Sequence, residues 1–260
     1  MPAATRARLD VVIVDRGLAP SRERARALIL AGRVRVDGVV VDKAGTPVTP
    51  HVALEVTEPD FPWVGRGGVK LAHALDVFRI AVAGREALDI GASTGGFTDV
   101  LLARGSTRVT ALDVGHGQLD GRLREDPRVI VLERRNARGL DQAWLPGPVD
   151  IVTIDVSFIS LRLILPAVPA VLRPGADIVA LVKPQFEAGR KEVGKGGIVR
   201  DRAVHEAVIE RVWGAAVRCG LTPVGRTASP ITGATGNQEY LLHLRPGSGL
   251  ELAGSRKEHG

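Results

Sequence analysis

The 260-residue sequence contains one cysteine, Cys219, and no apolar run that approaches the ~18 residues needed to cross a bilayer. A single cysteine excludes an internal disulfide framework, which is typical of proteins in a reducing cytoplasm. The first ten residues, MPAATRARLD, lack the apolar core of a secretion signal. The histidines are scattered and none has metal-ligand spacing. We therefore expect a cytoplasmic protein without a metal site that neither enters nor crosses a membrane.

The positive charge of the chain is concentrated near its N-terminus. The formal net charge is +6 and the pI is about 10.1. Eight arginines lie between Arg6 and Arg35 against three acidic residues, whereas residues 36–60 hold five acidic residues and one lysine. An ordinary solvated surface does not need this segregation, so the pattern favours a face that binds nucleic acid.

The stretch SRERARALILAGRVRVDG predicts a helix that starts after Ser21 and ends at Gly32, followed by a hairpin that turns at Asp37-Gly38. Its sequence resembles an S4 RNA-binding domain, a small α+β module that we assign to residues 1–60. The resemblance implies structured RNA, and not DNA, as the partner. The candidate RNA-binding residues are the basic residues of this module and of two later segments: Arg6, Arg8, Arg22, Arg26, Arg33, Arg35, Arg66, Arg190, Lys191 and Lys195.

After a Pro/Gly-rich linker at 61–66, short apolar strands alternate with helical segments across residues 67–245. This alternation predicts an α/β domain with a mostly parallel sheet and helices on both faces. Helices are expected at 96–104, 160–172 and 201–218. The glycine-rich tail at 246–260 is predicted to be disordered. Ligands of such sheets bind beyond the carboxyl ends of the strands.

The stretch LDIGASTGGFT at 88–98 forms the first such end. Its glycines allow a ligand to approach the backbone, and the loop contains no basic residue that would neutralise a phosphate. An acid before the loop, Asp89, suits a cationic ligand, and Asp113 at the next strand end suits ribose hydroxyls. S-adenosylmethionine fits this pattern. The candidate cofactor-binding residues are Asp89, Gly91, Ser93, Gly95, Gly96, Phe97, Asp113 and, for the adenine, Asn136.

Four further residues stand at strand or helix ends: Lys70, Asp155, Lys183 and Glu239. Each alone has an ordinary alternative as a surface charge, a turn acid or a strand-edge acid. Together they resemble the Lys-Asp-Lys-Glu tetrad of FtsJ-like RNA ribose 2′-O-methyltransferases.

With the S4-like module in front, the whole chain resembles the TlyA (hemolysin A) family. The resemblance rests on six motifs: WVGRGGVKL (63–71), LDIGASTGGFTD (88–99), DVGHGQL (113–119), DVSFISL (155–161), LVKPQFE (181–187) and GNQEY (236–240). It implies a Rossmann-like class I methyltransferase domain that uses S-adenosylmethionine. It also implies ribosomal RNA as substrate (16S, 23S or both, within ribosomal subunits) and ribose 2′-O-methylation at cytidine.

Under this interpretation Lys183 is the candidate base, because a ribose hydroxyl is a poor nucleophile until its proton leaves. Lys70 would supply a second positive charge, while Asp155 and Glu239 orient the two amines. The four groups would exchange protons as a coupled set. The basic loop at 187–201 either closes over RNA or is a solvated connection.

Three alternative functions compete with this one. A membrane-acting hemolysin would need a membrane-inserting segment, which the sequence does not offer. A non-catalytic RNA-binding protein would be expected to have lost part of the tetrad. A base methyltransferase would carry an N-P-P-Y/F-type or cysteine motif where this chain has Asp155-Val156-Ser157-Phe158. We expect a monomer that methylates ribose.

Overall fold

The computed structural model describes residues 6–19, 21–49, 51–56 and 61–247. Most of the predicted tail, from residue 248 onward, lies outside the described residues. Pro246, the first residue of that predicted tail, belongs to the last strand.

The described residues of the N-terminal module form two helices and two small antiparallel sheets. Its elements are β1 (Ala7–Arg8), α1 (Leu9–Asp15), α2 (Arg22–Leu30), β2 (Val34–Val36), β3 (Val39–Val40), β4 (Pro47–Val48) and β5 (Leu54–Val56). Strand β2 pairs with β3 and β5, and β1 pairs with β4. The apolar faces of α1 and α2 meet in a separate core around Leu9, Ile13 and Ile29.

Local sequence signals define helix α2 and the β2–β3 hairpin, as predicted. The Ser21 hydroxyl accepts a hydrogen bond from the Arg24 backbone N–H at 3.2 Å and starts α2, and Gly32 follows its end with φ +72°. Asp37 and Gly38 both have positive φ between β2 and β3, as a tight hairpin turn requires. The predicted helix and hairpin are therefore confirmed.

The larger domain starts at α3, immediately after the linker. Its elements are α3 (Gly67–Phe78), β6 (Glu86–Ile90), α4 (Gly96–Ala103), β7 (Arg108–Leu112), α5 (Gly121–Glu125), β8 (Val129–Leu132), β9 (Val149–Ile154), β10 (Leu172–Val182), α6 (Pro184–Glu187), α7 (Arg202–Arg218), β11 (Leu221–Ala228) and β12 (Tyr240–Pro246).

Seven strands form one sheet in the order β11-β12-β10-β9-β6-β7-β8, in which only β12 runs against the others. Nearly all side chains of the central strands are buried, because both faces are covered. One core lies between the sheet and α7, and the other lies between the sheet and helices α3 and α4. Cys219, at the end of α7, packs half-buried against the first core. The predicted mostly parallel, two-sided α/β domain is confirmed.

The prediction of a single helix at 160–172 was wrong. Three short 3₁₀ turns occupy the segment, at Leu161–Leu163, Leu165–Ala167 and Pro169–Val171. Pro166 and Pro169 lack the backbone N–H that a continuous α-helix needs, and their rings clash with the preceding turn. The apolar residues still reach the core because 3₁₀ turns also place one face inward.

The linker docks on the larger domain. The Val64 backbone N–H donates to Asp99 Oδ2 at 2.8 Å, and Trp63 packs over Gly68, where a Cβ would meet the indole at 2.3 Å. Trp63 therefore anchors the linker on α3. The linker is thereby held against the start of α3 and α4.

Candidate active site

The glycine loop between β6 and α4 forms one wall of a cleft of about 150 Å³ at the carboxyl edge of the sheet. Close packing explains its glycines. A Cβ on Gly91 would lie 2.2 Å from the Asp155 carbonyl oxygen, and one on Gly95 would strike Leu123. Gly91 and Gly95 also have φ of +85° and +97°, which other residues rarely adopt. Of the predicted cofactor residues, four line the cleft: Gly91, Ser93, Gly96 and Phe97.

Asp113 stands beside this loop at the end of β7. Its Oδ2 accepts the Ser93 N–H at 2.9 Å, and its Oδ1 accepts the Gly115 N–H at 2.6 Å. Each carboxylate oxygen keeps a second lone pair. The residues therefore fit a nucleoside ligand. The glycines present backbone without side chains, and the neighbouring Asp113 carboxylate can still accept ribose hydroxyls.

Asp89 does not reach this cleft. Its side chain is fully buried, and its two oxygens accept the Thr98 and Thr153 hydroxyls at 2.7 and 2.9 Å. Burial raises the pKa of Asp89 to about 7, although both threonine hydrogen bonds oppose the shift. The predicted contact with a cationic ligand is thus replaced by a support beneath the loop, because the carboxylate points into the protein.

Asn136 also lies away from the glycine loop. Its side-chain oxygen accepts the Arg138 N–H at 3.0 Å and caps a short 3₁₀ turn. The residue lines a different, shallow cleft with Arg134, Arg135 and Trp144. Asn136 follows β8, and its side-chain oxygen is used to cap this turn.

Lys70 and Glu239 form a buried ion pair. Lys70 Nζ lies 2.6 Å from Glu239 Oε2, and the side chains are 10% and 3% exposed. Gly233 leaves room for the carboxylate, since a Cβ there would lie 2.3 Å from Glu239 Oε1. Lys70 faces the cleft, so α3 and the residue that precedes β12 together present one fixed amine to it.

Lys183 and Asp155 form a second pair. Lys183 Nζ lies 2.5 Å from Asp155 Oδ1 and donates a hydrogen bond to Ser157 Oγ at 2.8 Å. Burial by itself raises the pKa of Asp155, but the positive charges of Lys183 and Lys70 outweigh it and hold the pKa below its ordinary value. Asp155 is therefore ionised at neutral pH.

Strand register brings the two pairs to one edge. Val182 of β10 pairs with Tyr240 of the antiparallel β12, so the next residues outward, Lys183 and Glu239, are neighbours. Asp155 follows β9, which lies on the other side of β10. Lys70 and Asp155 both line the cleft beside the glycine loop. The four residues predicted from separate motifs are thus gathered in space.

Three neighbouring residues were missed by sequence reasoning. Ser157 holds Lys183, as described above. Phe158 is 91% exposed, has φ +63°, and lies 5.1 Å from the Phe186 ring. Glu187 is buried and accepts the Ser160 hydroxyl and the Leu161 N–H, both at 2.6 Å. Their motifs, DVSFISL and LVKPQFE, were visible, but nothing local showed that the two loops meet.

The predicted RNA-binding arginines of the S4-like module share an anchor. Asp10 is fully buried, and it pairs with Arg8 at 2.9 Å, Arg26 at 3.0 Å and Arg22 at 3.2 Å. Burial opposes ionisation of Asp10, but the hydrogen bonds from these arginines hold its pKa well below the usual range. Each arginine remains about half exposed. The group carries three positive charges against one negative charge.

The other predicted RNA-binding residues differ in their surroundings. Arg6, Arg190, Lys191 and Lys195 are exposed, whereas Arg33 and Arg35 are partly buried. Arg66 has two partners: it pairs with Asp42 at 3.3 Å and donates to the Thr232 carbonyl at 3.1 Å. It therefore connects the S4-like module to the turn before Glu239 and borders the cleft.

Two family models match this chain. The FtsJ-like methyltransferase family model matches residues 63–246, and the S4 domain model matches residues 7–53. Within the described residues, no helix is long and apolar enough to cross a membrane.

Several known proteins align with this chain over nearly its whole length. The chain is 53% identical to the 16S/23S rRNA (cytidine-2′-O)-methyltransferase TlyA of Mycobacterium tuberculosis, over 93% of this chain and 91% of that protein. It is 43% identical to Hemolysin A of Brachyspira hyodysenteriae, over 91% and 99% of the two chains. A solved structure from Streptococcus thermophilus, assigned as a hemolysin, superposes with a TM-score of 0.74 at 44% identity, over 95% and 90% of the two chains. The chain belongs to the TlyA family of methyltransferases, in which an S4 domain precedes an FtsJ-like domain.

Proposed function

We propose that this enzyme transfers a methyl group from S-adenosylmethionine to the ribose 2′-hydroxyl of a cytidine in ribosomal RNA. The observation that carries the proposal is the amine of Lys183, held 2.5 Å from the ionised Asp155 beside the glycine loop. The M. tuberculosis relative is a 16S/23S rRNA (cytidine-2′-O)-methyltransferase, which supports ribosomal RNA, 16S, 23S or both, as the substrate. Such a substrate would place the reaction in the cytoplasm.

S-adenosylmethionine, when bound, supplies a methyl group on a sulfonium centre that a nucleophile can displace. Gly91, Ser93, Gly96 and Phe97 would hold it against the loop, and Asp113 would accept its ribose hydroxyls. Asp89 supports the loop from below rather than touching the ligand. The glycine loop would thus set the position of the methyl donor.

Lys183 is our candidate to take the proton of the ribose hydroxyl. The ammonium of its ion pair with Asp155 must first lose a proton, because only the uncharged amine can accept one. Asp155 attracts its amine and Ser157 accepts one of its N–H groups. Lys70, fixed by Glu239, adds a positive charge at the same cleft that stabilises the ionised Asp155. The protein's main contribution to the rate is alignment of the acceptor oxygen with the donor methyl group.

The RNA is bound by charge and by stacking. The Asp10-anchored arginines present a preorganised cationic group that suits phosphates, and the exposed Arg190, Lys191 and Lys195 lie on the loop that follows Lys183. The exposed ring of Phe158 beside Ser157 offers a face for the base of the acceptor nucleotide. Binding should therefore weaken steeply with salt.

The test is tritium transfer from labelled S-adenosylmethionine to 30S and 50S subunits that lack the native modification, followed by nuclease digestion and nucleoside analysis. We expect 2′-O-methylcytidine with the unaltered chain and none with Lys183→Ala, while calorimetric cofactor binding is unchanged. Lys43→Ala, at an exposed lysine of the N-terminal module, is the matched control and should keep full activity.

Two results would contradict the proposal. Loss of cofactor binding together with activity in Lys183→Ala would make Lys183 a structural residue. No incorporation into either subunit, despite cofactor binding by the unaltered chain, would favour a non-catalytic RNA-binding protein.

A further inference from the structure

We infer that Ser157 is a positioning residue for the transfer: its hydroxyl fixes the direction in which the Lys183 amine can accept a proton. The inference rests on the proposed function, because it takes Lys183 as the base. Ser157 lies outside the Lys-Asp-Lys-Glu tetrad, and its proposed role is to orient the amine rather than to change its charge.

The two contacts of the Lys183 amine differ in kind. Nζ lies 2.5 Å from Asp155 Oδ1, yet within the described part of the chain this oxygen has no aligned hydrogen-bond donor. That contact is an ion pair, which attracts the amine but directs it weakly. The contact with Ser157 Oγ at 2.8 Å does satisfy hydrogen-bond geometry. Ser157 therefore supplies the directional restraint.

The tetrahedral geometry of nitrogen turns this restraint into a catalytic consequence. An uncharged amine has two N–H groups and one lone pair around the bond to Cε. When Ser157 accepts one N–H, two directions remain for the lone pair, and the negative charge of Asp155 disfavours the one that faces its carboxylate. Without the hydroxyl, rotation about the Cε–Nζ bond would spread the lone pair over two directions.

The scaffold keeps Ser157 at this distance without burying it. Ser157 is exposed, so the core does not depend on it. The loop that carries it is tied to the segment that carries Lys183, because buried Glu187 accepts hydrogen bonds from Ser160 and from the Leu161 backbone at 2.6 Å each. The hydroxyl can be removed with little effect on folding, which makes the inference testable by mutation.

The experiment measures methyl transfer to ribosomal subunits at varied RNA concentration and saturating cofactor, for the unaltered chain, Ser157→Ala and Ser157→Thr. We expect Ser157→Ala to lower kcat about tenfold, since one hydrogen bond to the amine is lost. KM for the RNA and calorimetric cofactor binding should not change. Ser157→Thr keeps a hydroxyl and should restore most of the rate. Thr107→Ala removes an exposed hydroxyl that donates to the Arg85 carbonyl at the opposite edge of the sheet, and it should match the unaltered chain.

Three outcomes would overturn the inference. Full kcat in Ser157→Ala would show that the hydroxyl does not orient the base. A rise in KM with unchanged kcat would make Ser157 an RNA contact. Equal loss in the alanine and threonine variants would show that the hydroxyl itself is not the active feature. These results require an active unaltered chain; an inactive unaltered chain would overturn the proposed function and this inference with it.

Discussion

The two edges of the seven-stranded sheet both carry carboxylates paired with cations, but the cations differ. At the carboxyl edge the partners are lysines: Lys183 with Asp155, and Lys70 with Glu239. At the amino edge, buried Asp177 pairs with the guanidinium groups of Arg85 at 2.7 Å and Arg245 at 2.8 Å, and His243 lies at hydrogen-bond distance, 2.8 Å. An amine can give up its proton and a guanidinium cannot. The carboxyl edge is thus suited to proton transfer, and the amino edge to fixed charge.

The surroundings of the two edges agree with this division. Burial alone would raise the pKa of Asp177, but hydrogen bonds from His243, Arg245 and Arg85 hold it well below the usual range. The carboxyl edge instead opens into the cleft beside the glycine loop. Charge at the amino edge is buried among fixed partners, whereas charge at the carboxyl edge faces the cleft.

The substitution with the largest expected effect removes the proton-accepting amine of the carboxyl edge but keeps its positive charge. Lys183→Arg retains a cation for Asp155 but cannot accept a proton, so methyl transfer should fall about 10³-fold in single-turnover assays. Unchanged calorimetric cofactor binding is the control. A variant that keeps more than a small fraction of the rate would show that Lys183 acts by charge alone.

The substitution with the next largest expected effect removes the buried carboxylate of the amino edge. Asp177→Ala leaves three partners without their carboxylate and should lower the free energy of unfolding by about 3 kcal/mol in urea titrations at neutral pH. Methyl transfer per folded molecule should not change. Equal loss of activity and stability would mean that the two edges are not independent.

The same substitution has a defined pH dependence. Because the pKa of Asp177 is lower in the folded chain than in the unfolded one, its stabilising contribution is complete above about pH 4 and disappears as the pH falls further. The difference in unfolding free energy between the unaltered chain and Asp177→Ala should therefore shrink between about pH 4 and pH 2. A constant difference would contradict the ion-pair explanation.

A third prediction concerns Asp89, the buried acid beneath the glycine loop. Its folded pKa of about 7 exceeds the unfolded value, so the folded chain retains a proton that the unfolded chain releases. Raising the pH from 5 to 8 should therefore lower the free energy of unfolding by about 2 to 3 kcal/mol through this group. Asp89→Asn should remove that part of the pH dependence in denaturant titrations. An unchanged slope would show that Asp89 is ionised in the fold.

The smallest effect is expected away from both edges. Arg226 and Glu206 form a pair at 2.6 Å on the surface, with side chains 41% and 57% exposed. Glu206→Gln should change the free energy of unfolding by less than about 0.5 kcal/mol, because solvent screens such pairs. A loss comparable with Asp177→Ala would undermine the contrast between buried and exposed charge.

Local signals made much of the fold predictable. The Ser21 cap, the Asp37-Gly38 turn and the alternation of apolar strands with helices are short-range features, and each appears in the structure. The segment 160–172 was predicted as one helix because it lies between two apolar strands in the alternation of strands and helical segments. Two prolines divide it into 3₁₀ turns, so backbone hydrogen bonding prevailed over this pattern.

The candidate site was less predictable than the fold. The positions of Asp155 and Lys183 at strand ends followed from the pattern, as did the glycine loop. Ser157, Phe158 and Glu187 did not, because their contacts depend on two loops that are more than twenty residues apart and meet only across neighbouring strands. Asp89 and Asn136 show the converse: the position in the chain was right, but the direction of the side chain was not.

By itself the sequence determined which residues can do chemistry and at which strand ends they stand, because strand periodicity, turn residues and caps act over a few residues. Only the tertiary structure decided how those residues are used. The register of β10 against β9 and β12 brings the two lysine pairs together. The Asp89 side chain is buried beneath the glycine loop. Two loops approach each other, so that the Ser157 hydroxyl accepts a hydrogen bond from the Lys183 amine. Such long-range distances depend on the packing of the whole sheet, which no local pattern records.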